Sequence, residues 1–290
     1  MKNTLLIFGH GYSAAALSSR LLQEGWDIIG TTRDPEKAKA LADSGIEPLI
    51  WPGTALAPHL ARATHILGSI GANAGGDPVL AAHAGDIAAA ASHIAWAGYL
   101  STTGVYGDHQ GGWVDETTAL TPTTERGKWR LRAEEQWLAL GQSCGLPVHL
   151  FRLAGIYGPG RGPFEKVRSP GARLVIKAQQ FMSRIHVEDI ATVLAASIAR
   201  PAAGRAYNVC DDEPSPPESV LLHAARLLGL PPPPAVPLAE ADMTPMARSF
   251  YAESKKVCNR RIKEELGVTL AYPTYREGLA ALLAEEVDKR

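Results

Sequence analysis

Short apolar segments alternate with longer amphipathic segments along the first half of the chain. The first apolar run, 5–8, stops at a glycine and is typical of a buried strand. The next segment, 12–24, carries Ala14, Leu17 and Leu21 at the spacing of an amphipathic helix. The same pattern predicts strands at 27–31, 47–51, 65–70, 94–101 and 148–153 and helices at 35–44, 78–93 and 127–141. Strands alternating with helices of this length predict an α/β fold with a doubly wound parallel sheet.

The turn after the first predicted strand has the pattern Gly-x-Gly-x-x-Ala, formed by Gly9, Gly11 and Ala14. The first glycine permits a tight turn, the second lets a pyrophosphate approach the backbone, and the small third residue lets helix and strand pack closely. Tyr12 and Ser13 complete this turn, and their N–H groups lie at the positive end of the helix. We therefore expect these five residues to bind a dinucleotide. Ser69, near the end of the fourth predicted strand, is a further candidate contact at the same edge.

The end of the second predicted strand indicates which dinucleotide binds. NAD-binding chains usually place a carboxylate there to hold the ribose 2′-OH. This chain instead has Thr32 and Arg33, and a guanidinium pairs well with a 2′-phosphate. We predict NADP as the cofactor. NAD is the alternative, because Asp34 follows immediately and could bind a ribose.

The regular alternation ends after residue 157, where loops rich in glycine and proline begin. The later segments predict strands at 173–176 and 207–210 and helices at 187–200, 216–228 and 275–287. We predict a Rossmann-type domain over residues 1–157, with 187–212 returning to it. Residues 158–186 and 213–290 are predicted to form a small substrate-binding cap at the carboxyl edge of the sheet, where open α/β sheets bind ligands.

Composition excludes several other classes of protein. The 29 Lys and Arg residues almost balance the 30 Asp and Glu residues, which gives no overall attraction for nucleic acid or acidic membranes. Cys144, Cys210 and Cys258 lack metal-ligand spacing, so we expect no metal site and free thiols in a reducing compartment. No apolar run approaches the ~18 residues of a membrane span or the ~7 of a secretory signal core. We therefore predict a cytoplasmic protein that binds neither nucleic acid nor membranes.

Four segments, in order along the chain, resemble motifs of one enzyme family. They are STTGVYG at 101–107, RLAGIYGPG at 152–160, RIHVEDI at 184–190 and YNV at 207–209. The family is that of the extended short-chain dehydrogenases/reductases, the NAD-dependent epimerase/dehydratase family. The resemblance implies a nicotinamide cofactor and a catalytic set of Ser/Thr with Tyr-x-x-x-Lys. The family's usual turn is Gly-x-x-Gly-x-x-Gly, so the turn of this chain indicates an atypical branch.

The catalytic positions depart from the family pattern. Thr102 matches the family Ser/Thr, whereas Arg126 stands at the tyrosine position and Arg130 at the lysine position. An arginine, with a pKa above ~12, cannot act as the proton donor that a tyrosine is. It can hold an anion in bidentate fashion, and Arg130 can still reach ribose hydroxyls. Tyr106, at a position that lines the substrate cleft in the family, is the nearest substitute acid. Our candidate catalytic residues are Thr102, Tyr106, Arg126 and Arg130.

Three residues are candidate substrate contacts. Tyr106 is one by resemblance, and Arg161 and Arg184 could hold an anionic substrate, although either could equally be a surface cation. His186 has a pKa in the range of an acid/base group, but it stands where a strand joins a helix. We interpret it as a residue that satisfies backbone groups.

The predicted helices 80–91 and 127–141 raise two structural questions. In the family, these helices form a two-fold interface, so a homodimer is one expectation and packing within the chain is the other. Glu134 and Glu135, adjacent in the second helix, are predicted to lie on its solvent-exposed face.

The sequence supports two hypotheses of function. The first is an NAD(P)-dependent oxidoreductase or epimerase-like enzyme that acts on a small carbonyl or sugar-type substrate, with anionic substrates favoured by the arginines. The second is an NADP-binding sensor or scaffold that keeps the fold without hydride transfer. The second is motivated by Arg126 and Arg130 at the catalytic positions.

Overall fold

Strands and helices alternate over the first half of the molecule, except that the two-residue strand β6 follows β5 directly. The computed structural model describes residues 2–288, so that residues 1, 289 and 290 of the predicted domain and cap lie outside it, as does the side chain of Met246. In chain order the elements are β1 (Thr4–Phe8), α1 (Tyr12–Gln23), β2 (Asp27–Thr32), α2 (Pro35–Asp43), β3 (Glu47–Ile50), α3 (Ala57–Leu60), β4 (His65–Gly68), α4 (Pro78–Ala90), β5 (Trp96–Thr102), β6 (Trp113–Val114), α5 (Glu125–Cys144) and β7 (Val148–Leu153).

The second half contains shorter elements. They are β8 (Gly155–Tyr157), α6 (Phe164–Arg168), β9 (Leu174–Ile176), β10 (Arg184–His186), α7 (Val187–Ala199), β11 (Ala206–Val209), α8 (Pro217–Leu227), β12 (Ala235–Pro237), α9 (Pro245–Ser249), β13 (Lys256–Val257), α10 (Arg260–Glu264) and α11 (Tyr275–Asp288). Apart from β9 and β11, the hydrophobic pattern does not predict the elements of two to five residues here, because a periodicity needs a longer segment to be visible.

Seven parallel strands form the central sheet, in the order β11-β7-β5-β4-β1-β2-β3. The strand order reverses between β1 and β4, and a reversal of this kind opens a crevice at the carboxyl ends of the strands. In the register of the sheet, Thr102 at the end of β5 lies opposite Leu153 at the end of β7. The predicted Rossmann-type, doubly wound α/β fold is confirmed.

The sheet is buried on both faces because side chains alternate along each strand. Leu5 and Ile7 of β1 belong to one apolar cluster, which includes residues of α1 and α7. Leu6 and Phe8 belong to a second cluster, which includes Trp137 of α5 and residues of α4. Apolar residues on both faces explain why the strands read as continuous apolar runs in the sequence.

A third apolar cluster joins elements of the second half of the chain. It links Tyr157 after the sheet with Phe164 of α6, Ala224 of α8, and Tyr275 and Leu279 of α11. Helix α7 packs against α1, and β11 extends the central sheet beside β7. These contacts are compatible with the division into a dinucleotide-binding domain and a cap, which stays a prediction.

Candidate functional site

The turn between β1 and α1 has room only for glycine at position 9. Gly9 has a φ of +83°, and a Cβ there would lie 2.6 Å from Cγ1 of Ile70. The Gly9 N–H donates to Oγ1 of Thr31 at 2.8 Å, which fixes the turn against β2. Gly11 precedes the helix without a capping side chain, and the first turn of α1 carries no acidic residue. The free N–H groups and the helix dipole therefore suit an anion.

His10 anchors this turn from below. Its N–H donates to the carbonyl of Thr31 at 2.9 Å, and its Nε2 lies 2.9 Å from Oγ of Ser18. Burial lowers the pKa of His10 to about 4, so the ring is neutral. A Cβ at Gly30 would lie 3.1 Å from this ring, so Gly30 makes room for it. The contact between His10 and Gly30 is not visible in the sequence, since only the pairing of β1 with β2 brings the two residues together.

Tyr12 and Arg161 come together above the start of α1. The Tyr12 hydroxyl donates to the carbonyl of Pro159 at 3.0 Å, and Cζ of Arg161 lies 5.7 Å from the centre of the Tyr12 ring. Ser13 and Ala14 are buried beneath them. The structure thus places the exposed side chain of Arg161 beside the glycine turn.

At the end of β2, the positively charged side chain of Arg33 is exposed to solvent. The carboxylate of Asp34 accepts the N–H of Glu36 at 2.9 Å, so it caps helix α2. Oγ1 of Thr32 accepts the N–H of Asp34 at 3.1 Å. Arg33 is exposed and makes no ion pair with any other residue among 2–288. Ser69 follows β4 at the same edge, where its N–H donates to the carbonyl of Phe8 at 2.9 Å.

Three of the candidate catalytic residues lie at the carboxyl end of β5. Thr102 begins a tight 3₁₀ turn, and its Oγ1 accepts the N–H of Gly104 at 3.1 Å. Arg130 of α5 donates to the carbonyl of Leu100, two residues before Thr102. Helix α5 approaches the turn closely at Gly127, where a Cβ would lie 2.9 Å from the Gly104 carbonyl oxygen. Arg126, next to Gly127, is exposed.

Tyr106 lies in the interior instead of in a cleft. It is fully buried, its hydroxyl donates to Oδ1 of Asn208 at 2.7 Å, and it accepts from Arg152 at 3.0 Å. Burial raises the pKa of Tyr106 to about 12. The position that the resemblance implies for a substrate contact and substitute acid is therefore taken up by an internal hydrogen-bond network. The physical reason is the demand of the buried Arg152 and Asn208 for polar partners.

Glu134 contradicts the prediction that it is solvent-exposed. Its side chain is 1% exposed, and its carboxylate pairs with Arg152 at 2.9 Å and accepts from Ser101 at 2.5 Å. Its neighbour Glu135 is exposed, as predicted. Arg152 could have indicated the burial of Glu134, since a cation inside a buried strand requires a buried anionic partner. This pair ties α5 to β5 and β7 beneath the candidate catalytic residues.

The two remaining candidates lie where β10 meets α7. Arg184 donates from Nη1 to Oγ of Ser215 at 2.8 Å and to the Met182 carbonyl at 2.9 Å. Burial lowers the pKa of Arg184 below its usual value. His186 accepts the N–H of Glu188 at the start of α7, and burial lowers its pKa to about 4. His186 thus satisfies a backbone group, as interpreted from the sequence.

Residues 2–288 contain neither a membrane-spanning helix nor a group of metal ligands. No helix is long and apolar enough to cross a membrane. No three or more His, Cys, Asp or Glu side chains are grouped so that they could hold a metal ion.

Comparisons with known proteins agree with the fold and the motifs. A model of the NAD dependent epimerase/dehydratase family matches residues 86–210. A solved structure of a conserved protein of unknown function from Silicibacter pomeroyi DSS is 61% identical, with a TM-score of 0.94 over 98% of this chain and 99% of that one. Protein YeeZ of Escherichia coli (strain K12) is 32% identical over 177 residues, which span 60% of this chain and 58% of YeeZ.

A more distant solved structure has the same fold. MoeE5, in complex with UDP-glucose and NAD, is 20% identical, with a TM-score of 0.77 over 99% of each chain. The glycine turn, the parallel sheet and the ordered motifs lead to the same assignment. Over residues 86–210 the chain matches the NAD dependent epimerase/dehydratase family, and over its whole length it has the same fold as MoeE5.

Proposed function

We propose that this protein is an NADP(H)-dependent oxidoreductase or epimerase-like enzyme that acts on a small carbonyl or sugar-type substrate. The observation that carries the proposal is the turn at Gly9 and Gly11, where Gly9 has no room for a Cβ and the start of α1 has neither a capping side chain nor an acidic residue. Its free N–H groups fit a pyrophosphate. The similarity of fold to MoeE5, which binds UDP-glucose and NAD, supports a substrate of the sugar type.

The preference for NADP rests on the unequal use of two neighbouring charges. The Asp34 carboxylate is engaged at the start of α2, so it is poorly placed to receive a ribose 2′-OH. Arg33 keeps its charge in solvent beside it, where a 2′-phosphate would complete its hydrogen bonds. Lys37, close enough to influence the pKa of His10, adds a second positive charge to this corner.

Each candidate catalytic residue has a proposed role. Bound NADPH would supply the hydride for carbonyl reduction, and water would supply the proton that the resulting alkoxide takes up. Thr102 would orient the substrate oxygen, and Arg130 would hold the nicotinamide ribose in place of the family lysine. Arg126, exposed at the start of α5, would hold an anionic group of the substrate or stabilise a developing oxyanion. We propose no proton transfer by Tyr106, because both of its hydroxyl contacts lie inside the protein.

Absorbance at 340 nm tests the proposal. The purified protein is incubated with NADPH and a panel of carbonyl compounds and nucleotide sugars that includes UDP-glucose. We expect oxidation of NADPH with at least one substrate, and a loss of at least about 100-fold in Thr102→Val, because one positioned polar group is typically worth that much. Thr103→Val, in the same turn, is the matched control. Bound NADPH without turnover across the panel would overturn the enzymatic proposal.

The second candidate function is an NADP-binding sensor or scaffold. The observation that favours it is the burial of Tyr106, together with the resemblance that aligns Arg126 and Arg130 with the family's tyrosine and lysine. In that case NADPH would bind tightly without turnover. A partner captured by the protein would then change its affinity when NADPH is added, and an affinity indifferent to NADPH would contradict sensing.

A further inference from the structure

A tight turn at residues 158–161, which we call the arginine turn, lies against the first residue of α1. Its sequence is Gly-Pro-Gly-Arg, and the Arg161 N–H donates to the Gly158 carbonyl at 2.9 Å across the turn. Gly160 has a φ of +68°, and a proline followed by a residue with positive φ defines a type II β-turn. The sequence of these four residues therefore fixes the conformation that carries Arg161.

Tyr12 holds the arginine turn against the start of α1. Its hydroxyl donates to the carbonyl of Pro159 at 3.0 Å, an oxygen that has no partner inside a type II turn. A Cβ at Gly158 would meet the same hydroxyl, so this close approach requires glycine there. Because Tyr12 directly follows Gly11, these contacts join the arginine turn to the glycine turn at residues 9–11.

The guanidinium of Arg161 rests on the ring of Tyr12. Its Cζ lies 5.7 Å from the centre of the ring, within the ~6 Å of a cation–π contact. The side chain is exposed, and its guanidinium forms neither an ion pair nor a hydrogen bond with any residue among 2–288. A guanidinium has five N–H donors in a planar fork that matches two oxygens of a phosphate, so these donors are available to an anion.

The charges near the start of α1 require a cation if an anion is to bind there. Burial raises the pKa of Tyr12, Arg161 lowers it, and Glu188 and Glu285 raise it further, so all three charged side chains lie close to this residue. The two carboxylates repel an anion at the helix N-terminus, whereas the guanidinium attracts one. Arg161 can therefore offset the negative charge that the two glutamates bring to the glycine turn.

We propose that Arg161 is a cofactor-binding residue whose guanidinium pairs with the pyrophosphate of a dinucleotide held at the glycine turn. A phosphate bound to the N–H groups of Tyr12 and Ser13 would lie beside the Tyr12 ring, within reach of a guanidinium that rests on this ring. Arg161 then serves the cofactor and not the substrate, for which the sequence made it a candidate. The inference rests on the proposed function, because it requires a dinucleotide at this turn.

Calorimetric titration of wild type and Arg161→Gln with NADPH and with NADH tests this assignment. Both nucleotides contain the pyrophosphate, so the substitution should weaken both by the same factor of at least about 10 and leave the ratio of the two affinities unchanged. A loss confined to NADPH would place Arg161 on the 2′-phosphate, and unchanged affinities would remove it from the cofactor. Either result would overturn the inference alone, whereas a wild-type protein that binds neither nucleotide would overturn the proposed function as well.

Three further variants locate the effect in the arginine turn. Arg161→Lys, which keeps the charge but loses the planar fork, should lose less affinity than Arg161→Gln. Tyr12→Phe keeps the ring but loses the bond to Pro159, so it should weaken both nucleotides by a smaller factor. Arg168→Gln, in the helix that follows the turn, is the control and should bind like wild type, since Arg168 pairs with Glu286. An equal loss in Arg168→Gln would show a general effect of charge and contradict the contact.

Discussion

Two regions on either side of the candidate catalytic residues differ in whether their buried polar groups are fully hydrogen-bonded. Beneath the sheet edge, every oxygen of a key carboxylate is used: Asp77 accepts from the N–H of Val79 at 2.7 Å and from Trp137 at 3.0 Å. Glu134 is likewise paired with Arg152. Beside β10, by contrast, Asp211 keeps a buried oxygen without a hydrogen-bond partner, and Arg184 has no ion pair within residues 2–288.

This difference distinguishes a region that supports the fold from a region that is suited to recognising a ligand. A fully satisfied buried network holds its geometry before any ligand arrives, which suits the supports beneath Thr102 and Arg130. A partly satisfied cluster weakens the fold unless a ligand completes it, and native proteins keep such groups mainly at functional sites. Substitutions in the two regions should therefore affect stability in opposite directions.

The largest effect is expected from Glu134→Ala, which breaks the satisfied network. Removing this carboxylate leaves the buried Arg152 without its anion, and breaking a buried ion pair typically costs about 3–5 kcal/mol. Urea denaturation would measure the loss in the free energy of unfolding. The control is Glu135→Ala, the exposed neighbour in the same helix, which should change stability by at most about 0.5 kcal/mol. Equal effects of the two variants would remove the contrast between the regions.

Beside Arg184 of β10, Asp211→Asn should stabilise the protein near neutral pH. The pKa of Asp211 is raised from 3.8 to about 8 by burial, so between these values the folded state holds a proton that the unfolded state has released. Stability from this group is therefore present at low pH and falls as pH rises towards 8. The charged or titratable groups that influence this carboxyl or are influenced by it are Arg184, Tyr157, Cys210 and Asp212.

Urea denaturation at a series of pH values checks this expectation. Relative to Asp211→Asn, wild type should lose about 3 kcal/mol of stability between pH 5 and pH 8, since a tenfold change in proton affinity is worth about 1.4 kcal/mol. Taking the difference cancels the histidines that titrate in both proteins. Parallel stability curves would show that Asp211 is ionised in the folded state and that other groups of this chain balance its charge.

Gly9→Ala probes the sheet edge where the cofactor is proposed to bind. The new methyl group would meet Ile70 at a backbone φ of +83°, so the turn must shift and its N–H groups lose their alignment. We expect NADPH affinity to fall by about 100-fold, or about 2.7 kcal/mol, measured by fluorescence titration. Gly85→Ala in helix α4, where a Cβ meets nothing, should bind NADPH normally. Normal binding by Gly9→Ala would contradict the role of this turn.

The doubly wound sheet could be predicted from the sequence because each of its strands and helices is formed by residues that are close together along the chain. The turn at Gly9 and Gly11 joins two adjacent elements, so its shape could be predicted in the same way, and its binding of a cofactor stays a prediction. Glu134 was misplaced because its partner Arg152 lies on another element, and only the packing of α5 on β7 brings them together. The contact between Asp211 and Arg184 could not be predicted for the same reason, since the two residues follow different strands.

The smallest predicted effect is also the most direct test of the proposed cofactor. Calorimetric titration of the wild-type protein with NADPH and with NADH compares the two affinities under one set of conditions. We predict that NADPH binds at least about 10-fold more tightly, and that Arg33→Gln removes this preference while leaving NADH binding unchanged. Arg20→Gln, on the exposed side of α1, serves as the control. Equal or tighter binding of NADH by the wild-type protein would contradict the assignment of NADP and the role of Arg33.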